Sequence, residues 1–309
     1  MGAGILIQHR LRTGFEEHTV VRYFISFLIV CIAAGSAQAA TTINSVNKYS
    51  YGANIGWVNA EANGTNGVVV GEFFSSGYLY GANVGWIHLG DGSPDNGWQY
   101  FNASATDYGV NMDQSGLLHG FGYGANIGWV NFEPTGAPRV DLITGKMSGY
   151  AYGANVGWIG LSNMQAHVQT DILDPGPDTD MDNVPDAWEL AQTNTLAGLS
   201  GGGDADDDGA SDGDEYVAAT DPLNGSSLFT ISNEVLDPAM SESDVTWESV
   251  LTRLYRVELN TSLSNSEGWT DSGLGDISPD AGTSTTRTMP LGGPNLQYYR
   301  VKAIRPLAP

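Results

Sequence analysis

A nearly identical octet occurs four times between residues 51 and 159, and this repetition strongly constrains the fold. The copies, which we call cassettes, read YGANIGWV, YGANVGWI, YGANIGWV and YGANVGWI, and they span residues 51–58, 80–87, 123–130 and 152–159. The first and second copies are as far apart as the third and fourth, and the middle interval is longer, so the first pair recurs as a second pair. Self-similarity at a fixed period indicates that copies of one small unit pack on one another.

Each cassette has the composition of two short strands joined by a turn. Flanking segments such as SGYAY and GWIGL are aromatic and β-branched, as strands are. The intervening GANV has turn chemistry, because Gly and Asn tolerate positive φ. We expect a strand–turn–strand or strand–bend–strand unit, with one continuous strand as the alternative. The sequence therefore predicts a mainly β fold with a tandem β-repeat domain at residues 40–168, and it leaves a solenoid, a barrel and a sandwich open.

The tryptophan of each cassette has two interpretations. These residues are Trp57, Trp86, Trp129 and Trp158. Aromatic residues of a repeat usually fill the space between its copies, so we expect them in the core. The alternative is an exposed ligand surface, since flat aromatic faces flanked by polar groups suit sugar rings.

The N-terminal segment has the pattern of a secretory signal peptide. Arg22 precedes the apolar run YFISFLIVCIAA, and AQA at residues 37–39 is a small-residue cleavage site. The run is about a dozen residues long, too short for a helix to span a bilayer. The only cysteine, Cys31, lies within it. We predict a signal peptide at residues 1–39 and a secreted or cell-surface bacterial protein with no stable membrane span after its removal.

Acidic residues dominate the charge and are concentrated in one block. The chain has 35 Asp and Glu against 12 Lys and Arg, a net charge of −23, which argues against nucleic acid or an anionic membrane as partner. Residues 171–221 contain 15 of the acids, and no Lys or Arg occurs between Lys146 and Arg253. Such a block either stays solvated and disordered or binds cations.

Two twelve-residue loops within this block have the spacing of a metal site. DTDMDNVPDAWE begins at Asp178 and DADDDGASDGDE at Asp204, and both carry carboxylates at positions 1, 3, 5, 9 and 12. Position 7 offers a backbone carbonyl, and Asn183 and Gly209 at position 6 permit a sharp turn. The predicted ligands are Asp178, Asp180, Asp182, Val184, Asp186 and Glu189 in the first loop, and Asp204, Asp206, Asp208, Ala210, Asp212 and Glu215 in the second.

The donor set favours calcium. Two carboxylates about 4 Å apart repel by roughly 1–4 kcal/mol, so five in one loop need a counter-ion to converge. No basic side chain is near in the sequence to supply it. Calcium takes 6–8 oxygen ligands, whereas magnesium prefers fewer protein ligands in strict octahedral geometry. The sequence predicts about two calcium ions.

At these loops the chain resembles thrombospondin type 3 repeats and related bacterial calcium loops of EF-hand-like spacing. The segments EYVAATDPLN, RLYRVEL and YYRVKA look like the region that follows such loops in large secreted bacterial proteins, and the resemblance covers residues 171–309. It implies structural calcium in an acidic module at residues 169–225 and a C-terminal β-sandwich at residues 226–309. Pro175 and Pro177 exclude a helix entering the first loop, so we expect only exit helices, near residues 186–192 and 214–219.

The sequence carries no catalytic constellation. His88, His119 and His167 lack metal-type spacing, and there is no nucleophilic cysteine or Gly-x-Ser-x-Gly motif. We therefore predict a non-enzymatic, secreted calcium-binding structural or adhesive protein, with the repeat domain displayed on a calcium-rigidified spacer. Its expected partners are Ca²⁺ and a cell-surface or extracellular polysaccharide or protein. The alternatives are a carbohydrate-binding protein that uses the tryptophans, or an accessory part of a polysaccharide-degrading system.

Overall fold

The mainly β fold predicted from the sequence is confirmed. The computed structural model describes residues 41–63, 65–237, 242–260, 268–290 and 298–309, with no side chains described at 236 and 237. Among the described residues, about 40% are in strands and 7% in helices. No helix among these residues has the length and apolarity to cross a membrane. The predicted signal peptide, residues 1–39, lies outside the described residues.

The N-terminal part is built from short strands. Their bounds are β1 Ile43–Gly52, β2 Gly56–Asn59, β3 Val69–Val70, β4 Phe74–Ser76, β5 Tyr78–Gly81, β6 Gly85–His88, β7 Val110–Met112, β8 Leu118–Gly124, β9 Gly128–Asn131, β10 Arg139–Val140, β11 Met147–Ser148, β12 Tyr150–Gly153, β13 Gly157–Gly160 and β14 Val168–Thr170, with a 3₁₀ helix at Pro134–Gly136. Strand β14 pairs with β1, so the last strand of this part joins the first. Residues 90–107 lie in the longer interval between the two cassette pairs and contain no strand.

Each cassette forms a β-hairpin. In the first, Tyr51 pairs with Trp57 across the hairpin, and the N–H of Ile55 donates to the carbonyl of Gly52 at 3.1 Å to close the turn. Positive φ is needed at Gly56, where it is 76°, and not at Asn54. The prediction of strand–turn–strand units is thus confirmed, and the continuous strand is wrong. We call β1/β2, β5/β6, β8/β9 and β12/β13 hairpins 1 to 4.

The four hairpins pair edge to edge in a closed ring. Strand β2 pairs with β5, β6 with β8, β9 with β12, and β13 with β1. Each of these contacts joins only two residue pairs, such as Val58 with Gly81 and Asn59 with Tyr80. The eight strands therefore form one continuous circuit that begins and ends at β1.

Isoleucine and valine alternate around the inside of this ring. The residue before the second cassette glycine is Ile55, Val84, Ile127 and Val156 in turn, and the residue after the tryptophan is Val58, Ile87, Val130 and Ile159. All eight are at most 6% exposed. Larger and smaller side chains thus alternate from one hairpin to the next within one buried core. This alternation accounts for the repetition of the cassettes in pairs.

The cassette asparagines form a second closed circuit at the turn end of the ring. Each side-chain amide donates to a backbone carbonyl of the preceding hairpin. The four bonds run from Asn54 to Val156, Asn83 to Ile55, Asn126 to Val84 and Asn155 to Ile127, at 3.0, 3.0, 3.1 and 3.0 Å. These bonds link hairpins whose strands share only two residue pairs, so each asparagine stabilises closure of the ring.

We expect Asn126→Ala to lower the free energy of unfolding by about 1 kcal/mol, because it removes one hydrogen bond between hairpins. Asn126→Asp should cost at least as much, since an ionised carboxylate cannot donate to the Val84 carbonyl. The matched control is Ala125→Ser at the adjacent exposed turn position. Urea unfolding measures all three variants, and equal stability of Asn126→Ala and the control would show that the bond contributes nothing.

The C-terminal part consists of two three-stranded antiparallel sheets, β15-β16-β19 and β18-β17-β20. The strands are β15 Ile231–Asp237, β16 Glu242–Glu248, β17 Leu254–Asn260, β18 Thr270–Asp271, β19 Ser284–Pro290 and β20 Tyr298–Ile304. Residues from both sheets share one buried core that includes Trp247, Met289, Tyr255 and Val301. This is the arrangement of sheets that the predicted sandwich requires.

Candidate metal sites in the acidic module

The two acidic loops adopt the same backbone conformation. Positions 4 and 6 have positive φ in both, at 63° and 77° for Met181 and Asn183 and at 61° and 97° for Asp207 and Gly209. The predicted sharp turn at position 6 is confirmed, whereas the one at position 4 was not anticipated from the sequence. Each loop leads into a short exit helix, α1 Asp186–Thr193 and α2 Asp212–Ala218, close to the predicted bounds.

The backbone gathers three carboxylates in each loop. Asp178, Asp180 and Asp182 each offer an oxygen within 4.8 Å of the others, and Asp204, Asp206 and Asp208 do the same. The first aspartate of each loop stabilises the curved backbone by accepting hydrogen bonds from it. Asp178 accepts from the N–H groups of Asp182 and Asn183 at 3.1 and 3.0 Å, and Asp204 accepts from those of Asp208 and Gly209 at 3.0 and 2.9 Å. Each triplet has the geometry to hold a metal ion.

The glutamate at position 12 is buried beside each triplet. Glu189 is 0% exposed and Glu215 is 1% exposed. Both oxygens of both carboxylates are inaccessible to solvent. Those of Glu189 accept no hydrogen bond among the described residues, whereas Glu215 has the Thr220 side chain beside it. A buried, unpartnered carboxylate costs several kcal/mol unless a cation or a proton neutralises it. The residues therefore fit a cation bound between glutamate and triplet.

Burial and the neighbouring aspartates raise the pKa of both glutamates. Burial, followed by the charge of Asp180, raises the pKa of Glu189 to about 7. Burial also raises the pKa of Glu215 to about 7; Asp206 adds to the rise, and a contact with Thr220 opposes it. Each glutamate lies in the first turn of its exit helix, so the helix fixes it next to the loop.

The other predicted ligands have different surroundings. Both oxygens of Asp186, at position 9, accept from Thr179, one of them from the backbone N–H at 2.7 Å. Asp212 likewise accepts from the N–H groups of Ser200 and Ala205, each at 2.9 Å. These aspartates tie the ends of the loops together. At position 7, the N–H groups of Val184 and Ala210 donate to the position 5 carboxylates at 2.9 and 2.8 Å.

The two loops pack together and contact both neighbouring parts of the chain. The rings of Trp188 in α1 and Tyr216 in α2 lie 5.4 Å apart. The Tyr216 hydroxyl donates to Glu72 of the N-terminal part at 2.9 Å, and Arg305 of the C-terminal part forms an ion pair with the same carboxylate. Arg253 donates to the carbonyl of Val217 at the end of α2, at 2.6 Å. The acidic module is therefore the joint between the ring and the C-terminal sheets.

The structure corrects the expected position of the cassette tryptophans. The tryptophans lie on the outside of the ring, as do the cassette tyrosines. Their side chains are exposed at Trp57 (44%), Trp86 (41%), Trp129 (46%) and Trp158 (48%). Each indole lies 4.9–5.0 Å from the tyrosine ring that opens its cassette. The interior takes isoleucine and valine instead, because opposite residues of a hairpin point to one face and their neighbours to the other.

The histidines remain separate from the metal sites. His88 Nδ1 lies 2.7 Å from the Tyr108 hydroxyl, and His119 Nε2 lies 3.3 Å from an oxygen of Asp113. Burial lowers the pKa of His88. In the described part of the chain, the groups of three or more metal-binding side chains are the two aspartate triplets. Comparisons with protein-family models, with curated proteins and with solved structures find no match to this chain.

Proposed function

We propose that this chain is a secreted, calcium-stabilised structural protein, in which two calcium ions fix the joint between the ring and the C-terminal sheets. The predicted signal peptide directs it outside the cell, where calcium is abundant enough for modules that bind it at 10⁻⁴–10⁻³ M, roughly. The ring is then presented to an extracellular partner on a stiff support.

The burial of Glu189 and Glu215 carries this proposal. Each carboxylate lies beside a triplet of aspartates, and neither oxygen of Glu189 has a partner among the described residues, while Glu215 has only the Thr220 side chain beside it. A position 12 glutamate that binds through both oxygens is what a calcium loop of this spacing uses. The all-oxygen donor set favours a hard cation, and the number of donors favours calcium over magnesium.

The position of the module explains why calcium is structural. Tyr216 and Arg253 connect the end of α2 to Glu72 and to the C-terminal part, and the start of α2 holds Glu215. An ion that fixes Glu215 therefore fixes the helix on which both contacts depend. A counter-ion also removes the repulsion among the carboxylates within each loop.

Calorimetric titration of the full, EDTA-stripped chain should give two calcium ions per chain. Binding to the native state alone should raise the free energy of unfolding by about 2.7 kcal/mol per site at 100 times the dissociation constant. Magnesium at the same concentration should produce a smaller rise. Asp180→Asn should reduce the stoichiometry to one, whereas Asp207→Asn, at exposed position 4 and outside the triplets, should leave it at two. A chain that neither binds calcium nor gains stability from it would disprove the proposal.

A further inference from the structure

A continuous strip of aromatic rings crosses the outside of the ring from hairpin 2 to hairpin 3. Its members are Trp86, Tyr78, His88, Tyr108 and Trp129, and we call it the aromatic strip. Successive ring centroids lie 5.8, 4.7, 5.5 and 4.9 Å apart. In the described part of the chain, this is the place where ring contacts link the tryptophans of two hairpins.

Tyr108 completes the strip, and it comes from outside the cassettes. Its hydroxyl lies 2.7 Å from His88 Nδ1, which holds the ring between hairpins 2 and 3. The ring meets the Trp129 indole at an interplanar angle of 90°. The residue belongs to the segment that separates the two cassette pairs, so the insertion between the pairs adds a feature that the repeat alone lacks.

The same segment forms a wall beside Trp129. Residues 102–105 and Tyr108 line a groove of about 410 Å³ together with the aromatic side chains of Phe121 and Trp129. Hydrogen bonds make the wall rigid. Asp107, 4% exposed, accepts from the N–H of Phe101 at 2.9 Å, and Asn102 accepts from that of Gly109 at 3.0 Å.

The chemistry of the groove selects a neutral, amphipathic ligand. Among the described residues no charged side chain lines it, and its surface combines aromatic faces with the amide of Asn102 and the hydroxyls of Ser104 and Tyr108. A sugar ring has an apolar C–H face that stacks on an indole and a rim of hydroxyl groups for such polar neighbours. The net charge of −23 disfavours acidic ligands.

We propose that the aromatic strip and the groove beside Trp129 bind a neutral polysaccharide, with one sugar ring on the Trp129 indole. This inference does not rest on the proposed role of calcium, because none of its residues belongs to the acidic module. It distinguishes Trp129 from Trp57 and Trp158, which have the same place in their hairpins and similar exposure.

The test uses the full chain in excess calcium with neutral hexasaccharides that have glucose, xylose, mannose or galactose backbones, and with hexagalacturonate as an acidic probe. Tryptophan fluorescence and calorimetry should show saturable binding of at least one neutral sugar. Trp129→Ala should weaken its affinity by about tenfold or more, as expected for a central aromatic contact. Trp158→Ala, the matched control, should change it by less than about twofold.

Ala105→Arg provides a second variant that leaves every aromatic ring in place. Ala105 is exposed in the wall, and the longer side chain should fill the groove and weaken binding without altering the thermal midpoint. The proposal is overturned if no neutral hexasaccharide binds, if hexagalacturonate binds more tightly, or if Trp129→Ala and Trp158→Ala weaken binding equally. Self-association in sedimentation that Trp129→Ala abolishes would instead assign the strip to a second copy of this chain.

Discussion

Glu189→Gln is expected to stabilise the protein in EDTA and to destabilise it in calcium. The carboxyl is 0% exposed, and burial beside Asp180 and Asp182 raises its pKa from 4.5 to about 7. At about pH 8 the folded, metal-free protein therefore carries an ionised group at a cost of about 3 kcal/mol. The neutral amide removes that charge, although an unpartnered amide offsets part of the gain, so we expect a net rise of about 1 kcal/mol or more.

In saturating calcium the same substitution removes a ligand. Wild type should gain about 2.7 kcal/mol at this site at 100 times its dissociation constant, and the variant should lose most of that gain. The pH dependence in EDTA has a defined sign. Because the folded pKa is the higher one, the cost of Glu189 grows as pH rises from 4.5 to about 7, and the advantage of the variant shrinks as pH falls through this window.

Urea unfolding in both solutions measures this reversal. The matched control is Glu133→Gln, which makes the same chemical change at an exposed position outside the loops and should stay within about 0.5 kcal/mol of wild type. A metal-independent structural role for Glu189 would appear as equal destabilisation in EDTA and in calcium. That result would also remove the support for the first of the two metal sites.

Local features of the sequence predicted the secondary structure of the repeats and the acidic loops well. The strand-like composition around each cassette predicted the hairpins. The carboxylate spacing, together with Asn183 and Gly209 at position 6, predicted the curled loops. Both depend on contacts within about a dozen residues, where composition determines the backbone directly. The Asp186 carboxylate accepts hydrogen bonds from Thr179, which is also a local contact. The spacing of carboxylates in a sequence does not reveal whether such a group binds a metal ion or accepts hydrogen bonds.

Closure of the ring could not be predicted, and the position of the tryptophans depends on it. The face of a hairpin that becomes interior is decided by pairings such as β13 with β1, which join residues from opposite ends of the repeat domain. Ring size then selects side-chain volume, and a narrow interior accepts the alternating Ile and Val but not four indoles. The sequence predicts only a turn role for the cassette asparagines. Their hydrogen bonds between hairpins could not be predicted, because the acceptors, such as the Val156 carbonyl for Asn54, lie in another hairpin.

A glycine three positions before the cassette tyrosine marks the place where strands exchange partners. Gly77, Gly120 and Gly149 occupy this position in hairpins 2, 3 and 4, with φ of 84°, 93° and 81°. The chain before Gly77 pairs with β7, and the chain after it pairs with β6. A backbone carbonyl approaches each glycine so closely that a Cβ atom would lie 2.1–2.3 Å from its oxygen.

Gly77→Ala should therefore cost about 3 kcal/mol or more, since positive φ costs an alanine about 1–2 kcal/mol and the collision with the Gly67 carbonyl adds at least as much. Gly176→Ala separates the two contributions. Gly176 has a φ of 81° but no atom within 4 Å of the added Cβ, so its substitution should cost only the backbone strain. Urea unfolding in calcium compares them, and equal losses would show that the backbone near Gly67 yields to the methyl group. A larger loss at Gly77 than at Gly176 would show that the backbone at this partner exchange does not yield to a methyl group.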